Sequence, residues 1–222
     1  MGWDMAKTTL IISSKNYSSW SLRGWLLARF ADIDFDECTV APEDPAYRQE
    51  LLLLAPSMLV PCLRHGGVEV WDVLAIGEFL HELRPKAGLL PSARAARAHC
   101  RSICGEMHAG FTNLRSSLPM NLRAHFPGFT VWSRALADIE RITSIWNECL
   151  QRYGGPFLFG ERRGMADAIY APVATRFATY DVSLDTTSET YKRTVLEMSE
   201  MREWTAAALA EKEEIDDLEV EF

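Results

Sequence analysis

The chain has 222 residues, of which 48% are hydrophobic and 24% charged, as is ordinary for a globular protein with a sizeable core. Its formal net charge of −8 argues against a nucleic-acid partner, although residues 211–222 carry most of that charge with seven acidic residues and one lysine. No apolar run approaches the roughly 18 residues of a membrane span, and the first ten residues lack the basic-then-apolar order that is typical of a signal peptide. The five cysteines show no disulfide framework, so we expect a cytoplasmic protein that neither enters a membrane nor binds nucleic acid.

The first part of the chain alternates strand and helix patterns. Residues 8–14 (TTLIISS) are β-rich and apolar and predict a first strand. Ser18 or Ser19 can cap the helix that follows, which is apolar over most of its surface and is therefore expected to be deeply packed. Residues 35–40 predict a second strand, and a weaker helical pattern covers residues 46–54. Because a helix joins the first two strands, we expect them to be parallel.

A hairpin and a helix follow without spare residues between them. Cys62–His65 is a short extended run, Gly66 and Gly67 fit a two-residue turn, and residues 68–71 alternate apolar and polar side chains. Asp72 stands where an acidic side chain caps a helix N-terminus. The pattern predicts an antiparallel pair that completes a mixed four-stranded sheet.

The peptide between Val60 and Pro61 opens the third strand. A cis bond there would present the Val60 backbone as a hydrogen-bonding edge. Such an edge beside a helix N-terminus suits an extended ligand that carries a carboxylate, whereas the alternative interpretation is a plain hairpin with a packing helix.

The second part of the chain predicts only helices. A linker is expected at residues 85–91, which contain two prolines and a glycine. Helical patterns then cover four stretches, of which the first is interrupted near Gly110 and the last is broken around residues 198–201: 92–118, 130–153, 165–180 and 188–210.

The predicted fold class is thus α/β plus all-α, in two domains. Residues 1–84 form an α/β domain with the mixed sheet, residues 92–211 form a helical bundle, and residues 212–222 form a flexible acidic tail.

This order of elements resembles the glutathione S-transferase superfamily, whose first domain is thioredoxin-like and whose second is helical. The run NYSSWSLR at residues 16–23 is similar to the zeta-class and related bacterial signature, in which a serine opens the first helix. The run PFLFGERRGMADAIYAPV at residues 156–173 is similar to the folding motif of the second domain, with Asp167 early in a buried helix. Gly164 stands where the motif usually has Ser or Thr.

The resemblance implies a catalytic hydroxyl at the start of the first helix, where its hydrogen bond and the helix dipole favour the glutathione thiolate. Zeta-type spacing, counted back from Arg23, selects Ser18, whereas theta-like spacing selects Ser19, and Tyr17 is a third candidate. The structural alternative is that both serines only cap the helix.

The resemblance also implies where glutathione binds. Its peptide backbone would pair with Val60 beside Pro61, and its γ-glutamyl end would lie at Asp72 and Val73. Relatives usually carry Ser at the position of Val73, and Lys, Gln or Arg just before the Val-Pro pair, where this chain has Leu59. Both departures remove polar contacts, so we expect weakened glutathione binding.

The second substrate is expected between the domains, against the helix predicted at residues 92–118. Four side chains recur there at helical spacing and would line the site: Met107, His108, Phe111 and Arg115. The alternative for Met107 and Phe111 is a place in the core. Cys100, Cys104 and His108 recur every four residues, but no fourth ligand accompanies them, so no metal site is predicted.

The leading hypothesis is a glutathione-dependent transferase or isomerase that acts on a small electrophile, with glutathione as substrate or cofactor. The resemblance also implies a homodimer. The alternative is a protein of the same fold with weakened or lost glutathione chemistry, which serves as a binding or regulatory protein or as a specialised biosynthetic enzyme.

Overall fold

The computed structural model describes residues 6–40 and 60–212. The helix predicted at residues 46–54 and the candidate ligand residue Leu59 lie outside the described residues.

Four strands form one mixed sheet, as the sequence predicts. They are β1 (Thr8–Ile12), β2 (Asp36–Thr39), β3 (Cys62–His65) and β4 (Val68–Val70), in the order β2-β1-β3-β4. β1 is parallel to β2 and antiparallel to β3, and β3 is antiparallel to β4. The first strand ends at Ile12, two residues earlier than predicted, because Ser13 donates its backbone N–H to the Ser21 hydroxyl, 3.0 Å away, instead of to a neighbouring strand.

The hairpin between β3 and β4 has the predicted two-residue turn. Gly66 and Gly67 have φ angles of 56° and 84°, values in the left-handed region that the turn requires at both central positions. His65 therefore pairs with Val68, and only Trp71 separates the end of β4 from Asp72.

Helix α1 (Ser19–Phe30) lies in the interior of the protein. Every residue of α1 except Trp20 and Arg29 is buried, which agrees with its apolar sequence. Gly24 gives α1 its close approach to the start of β3, since a Cβ atom there would lie 2.7 Å from Cβ of Pro61. Helix α2 (Val73–Leu83) follows β4 and packs against α1.

In the rest of the described chain the regular elements are helices, apart from an isolated bridge between Phe157 and Gly160. A 3-10 turn, Pro85–Ala87, lies in the predicted linker. The helices that follow are α3 (Arg94–Ala109), α4 (Thr112–Ser117), α5 (Ser133–Tyr153), α6 (Met165–Thr179), α7 (Thr186–Leu196) and α8 (Ser199–Ala210).

The predicted interruption near Gly110 is a complete break between α3 and α4. Gly110 ends α3, and Phe111 adopts a left-handed backbone with φ of 58°, which no helix can continue through. The break expected around residues 198–201 separates α7 from α8. None of the helices in residues 6–40 and 60–212 is long and apolar enough to cross a membrane.

Helix α6 is the centre of the helical part and packs against α1, α3 and α7. Asp167 in its first turn accepts hydrogen bonds from Gly164 N at 2.8 Å, Leu158 N at 3.1 Å and the Tyr191 hydroxyl at 2.9 Å. The departure from the folding motif at Gly164 has a steric reason, because a Cβ atom there would lie 2.8 Å from the carbonyl oxygen of Leu89. The domain boundaries themselves stay a prediction.

Candidate functional site

Ser18 caps α1, as one of the two sequence-based alternatives expects. Its Oγ atom accepts a hydrogen bond from Ser21 N at 3.1 Å and donates one to Ser21 Oγ at 2.9 Å. The side chain is buried, with 2% of its surface exposed. Ser18 therefore lies at the positive end of the α1 dipole, and its hydroxyl is engaged within the first turn.

Ser19 is the first residue of α1 and has a different environment. Nη1 of Arg23 donates to its Oγ at 3.4 Å and to its carbonyl oxygen at 3.5 Å. Both serines lie at the helix N-terminus, so the geometry leaves the choice between them open. The guanidinium beside Ser19 adds positive charge where a thiolate would be stabilised.

The Tyr17 side chain is held by the helical part of the protein. Its hydroxyl accepts a hydrogen bond from Nη2 of Arg123 at 2.8 Å, and the guanidinium lies 5.6 Å from the ring centroid. Tyr17 is buried, with 5% of its surface exposed. It therefore packs beneath the surface at the end of the loop that precedes the two serines.

The peptide bond between Val60 and Pro61 is cis and lies at the start of β3. Pro61 packs against the small face that Gly24 leaves on α1. Val60 is buried and lies two residues before β3, and it is the residue with which the resemblance pairs the glutathione backbone.

Asp72 and Val73 form the N-terminus of α2, as predicted. Oδ1 of Asp72 accepts a hydrogen bond from Leu74 N at 2.9 Å, which caps the helix. Oδ2 of Asp72 lies 2.9 Å from Nε2 of His108 on α3. The Val73 side chain is completely buried, so its methyl groups belong to the core.

Two of the four side chains expected to line the second-substrate site lie in the hydrophobic core. Met107 and Phe111 are 0% and 8% exposed and belong to the hydrophobic core, so the alternative interpretation is correct for both. Met107 is buried because it continues the apolar face of α3 that Cys100, Ile103 and Cys104 form. Phe111 lies beyond the end of α3 and enters the core separately.

His108 and Arg115 do meet, and they meet at a residue that the sequence analysis did not single out. The ring centroids of Trp20 and His108 are 5.2 Å apart. The guanidinium carbons of Arg23 and Arg115 lie 4.7 and 4.9 Å from the centroid of the Trp20 ring. Such contacts are favourable because a cation is attracted to the indole face. Trp20 directly follows the two serines in sequence, which is the signal that could have identified it.

Three arginines gather behind Trp20, namely Arg23, Arg115 and Arg176. Among the described residues, their hydrogen bonds go mainly to backbone carbonyl groups, those of Ile169, Met107, His108, Leu118 and Pro172. Within the described residues none of the three forms an ion pair with a carboxylate, and Nη2 of Arg23 and Nε of Arg115 are buried without a hydrogen-bond partner. Burial lowers the pKa of all three, that of Arg176 to about 9. Repulsion by Arg115 lowers the pKa of Arg23 and Arg176 further, whereas the Asp138 carboxylate opposes the effect of burial on the pKa of Arg115.

The arrangement brings together the N-termini of α1 and α2, the start of β3 and the end of α3. One region between the sheet and the helices therefore holds three kinds of polar group. They are the hydroxyl groups of Ser18 and Ser19, the half-exposed carboxylate of Asp72, and the guanidinium nitrogens of Arg23 and Arg115 that have no hydrogen-bond partner. In the part of the chain that the structure describes, no group of His, Cys, Asp and Glu side chains is placed to hold a metal ion.

Two family models match the chain and together cover more than half of it. The model of the glutathione S-transferase N-terminal domain matches residues 17–83, and that of the C-terminal domain matches residues 121–207. The first match contains Tyr17, both serines, the cis-proline and the N-terminus of α2.

Among curated proteins, the maleylacetoacetate isomerase of Rattus norvegicus is 26% identical over 182 residues, which cover 80% of this chain and 82% of that protein. The maleylacetoacetate isomerase of Mus musculus is 28% identical over 141 residues, 62% of each chain.

Two solved structures show the same fold. One is a maleylacetoacetate isomerase from Anaeromyxobacter dehalogenans, with a TM-score of 0.67, 18% identity, and coverage of 97% of this chain and 98% of that one. The other is a Burkholderia glutathione transferase homologue with bound glutathione, with a TM-score of 0.66, 20% identity, and coverage of 91% and 98%. The comparisons support the prediction of a glutathione-dependent transferase or isomerase. The chain belongs to the glutathione S-transferase superfamily.

Proposed function

We propose that this protein is a glutathione-dependent isomerase or transferase that acts on a small electrophile, with the hydroxyl of Ser18 or Ser19 stabilising the glutathione thiolate. The observation that carries the proposal is the position of His108. Its ring contacts Trp20 in the first turn of α1, and its Nε2 atom contacts Asp72 at the N-cap of α2. The two helix N-termini therefore lie on either side of one side chain.

Glutathione fits this arrangement by its chemistry. Its thiol needs a hydrogen-bond donor and positive potential, which the N-terminus of α1 provides. Its γ-glutamyl carboxylate suits the N-terminal N–H groups of α2, and its ammonium group suits the carboxylate of Asp72. The peptide backbone between these ends would pair with Val60.

The electrophile that we propose carries an anionic group. Arg23 and Arg115 present buried guanidinium nitrogens without hydrogen-bond partners behind Trp20, and an anion would supply the missing acceptors. The names of the animal relatives favour isomerisation over transfer. The expected homodimer and cytoplasmic location stay predictions.

A second candidate is a binding or regulatory protein that no longer uses glutathione. The complete burial of Val73 favours it, because the residue at this position offers only its backbone to a ligand. This candidate and the first differ in one measurable property, the ionisation of bound glutathione.

The test is a calorimetric titration with reduced glutathione combined with the ultraviolet absorbance of its thiolate. We expect binding by the wild type and loss of the thiolate signal in either Ser18→Ala or Ser19→Ala. Ser102→Ala is the matched control, because this exposed serine lies on α3 and its hydroxyl donates to the carbonyl oxygen of Ala98 in the same helix. Binding without a thiolate signal would favour the second candidate, and no binding would remove glutathione from the function.

A further inference from the structure

The loop between β1 and α1 is fastened by a residue from the far end of the chain. Glu211 directly follows α8, and its carboxylate reaches three donors of this loop. Oε2 accepts from Ser14 Oγ at 2.7 Å and from Asn16 N at 3.0 Å, while Oε1 accepts from Lys15 N at 2.6 Å. Both oxygens of Glu211 are thus used within three consecutive residues of the loop.

Two hydrogen bonds connect this contact to the start of α1. The Ser14 hydroxyl that donates to Glu211 also accepts from Tyr17 N at 3.1 Å. The Ser14 carbonyl oxygen accepts from Ser18 N, again at 3.1 Å. Ser14 therefore lies between the Glu211 carboxylate and the residue that caps α1, and the orientation of its hydroxyl is set by the carboxylate.

Neighbouring side chains hold Glu211 and the loop together. Arg123 donates through Nη1 to the backbone carbonyl of Glu211 at 2.9 Å and through Nη2 to the Tyr17 hydroxyl at 2.8 Å. Trp204 on α8 donates its Nε1–H to the carbonyl oxygen of Lys15 at 2.9 Å. The end of α8 and the loop before the serines are therefore one hydrogen-bonded unit.

The donor set requires an acceptor with two oxygens. Two backbone N–H groups and one hydroxyl converge on Glu211, and a carboxylate can accept from all three. An amide at this position would turn its NH2 group toward at least one of these donors. The chemistry of the contact therefore distinguishes Glu from Gln.

We propose that Glu211 is a positioning residue, which fixes the loop of residues 14–17 and thereby the N-terminus of α1, where the hydroxyl of Ser18 or Ser19 would face the thiol of glutathione. The role of the thiol rests on the proposed function, whereas the attachment of the loop does not. Glu211 itself does not touch the substrate; it acts through Ser14 and the backbone of the loop.

The experiment compares Glu211→Gln with Glu203→Gln in the full chain. Glu203 lies on α8, eight residues before Glu211, and pairs with exposed Arg29 at 2.7 Å, so the control also removes one negative charge from this end of the chain but does not contact the loop. We expect amide hydrogen exchange in residues 14–17 to be about tenfold faster in Glu211→Gln and unchanged in the control. We also expect the thiolate fraction of bound glutathione to fall by about three- to tenfold in Glu211→Gln alone.

Two shortened chains provide an independent test. A chain that ends at Lys212 keeps Glu211 and is expected to behave like the wild type, whereas one that ends at Ala210 is expected to behave like Glu211→Gln. Equal loop protection in Glu211→Gln and the wild type would overturn the proposal, as would faster exchange with an unchanged thiolate fraction. If the wild type binds no glutathione, the proposed function fails, and the exchange rates still decide whether Glu211 fixes the loop.

Discussion

Nε2 of His108 lies 2.9 Å from Oδ2 of Asp72, so the last turn of α3 is joined to the N-cap of α2. The two side chains keep 30% and 47% of their surface exposed, and such pairs contribute at most about 1 kcal/mol to stability. The ammonium group of a ligand can therefore take the place of His108 at small cost. The contact of His108 with Asp72 joins α3 to the N-terminus of α2, and both side chains stay accessible to a ligand.

We predict that Asp72→Asn weakens glutathione binding but barely changes stability. Asn caps a helix as well as Asp does, so the free energy of unfolding should change by less than about 1 kcal/mol. The dissociation constant should rise about tenfold, because a charged partner of the ligand ammonium is lost. Denaturant unfolding and calorimetry measure the two quantities. Asp72→Ala, which also removes the cap, should lose about 1 kcal/mol of stability, and unchanged affinity in Asp72→Asn would contradict the assignment of Asp72 to the ligand.

Val73→Ser should improve glutathione binding and reduce stability. A hydroxyl at the start of α2 offers the ligand carboxylate one further hydrogen bond, worth about tenfold in affinity. The substitution also removes buried methyl groups, so we expect a loss of roughly 2 kcal/mol in the free energy of unfolding. Val195→Ser is the control, because Val195 is equally buried on α7 and should lose stability without any gain in affinity. A similar affinity change in both variants would show that the effect does not come from the helix N-terminus.

Alanine substitutions at two helical glycines should have opposite effects. In Gly24→Ala the new Cβ atom would lie 2.7 Å from Cβ of Pro61, and we expect a loss of about 2 kcal/mol in unfolding free energy. Gly105 on α3 has no atom within 4 Å of a new Cβ, so Gly105→Ala should gain about 1 kcal/mol from helix propensity. Urea unfolding measures both. Glutathione affinity should fall only in Gly24→Ala, since Pro61 follows Val60, and stabilisation by both variants would refute the close contact.

Asp167 should make the stability of the protein depend on pH. Burial raises its pKa to about 6. The three hydrogen bonds to the carboxylate favour the ionised form and lower the pKa, but their effect is smaller than that of burial. Between about pH 4, the ordinary value, and pH 6, the folded protein binds a proton that the unfolded chain has released. The stabilisation from this group is therefore complete below about pH 4 and is lost as the pH rises through 6, an effect of about 3 kcal/mol.

The measurement compares the unfolding free energies of the wild type and Asp167→Asn at several pH values. Asn cannot titrate, so the destabilisation of the variant should shrink by up to about 3 kcal/mol from pH 4 to pH 7. Tyr191→Phe, which removes one donor to the carboxylate, should shift the transition to higher pH. A difference that grows toward pH 7 would mean that the hydrogen bonds outweigh burial.

Much of the local structure is predictable because its causes are local. Gly66 and Gly67 supply the left-handed backbone of the hairpin turn, and Asp72 caps the helix that begins at the next residue. The apolar surface of α1 likewise predicts a buried helix. In each case the turn or cap chemistry depends on residues within a few positions of one another.

The amino-acid sequence by itself determined the order of strands and helices, the fold class and the position of the two helix N-termini. Only the tertiary structure decided which side chains meet there. Met107 continues the buried face of α3 into the core, and the contact of Glu211 with Lys15 joins residues 196 positions apart. Hydrogen bonds between such distant residues leave no periodic pattern in a sequence, because they depend on how whole elements pack.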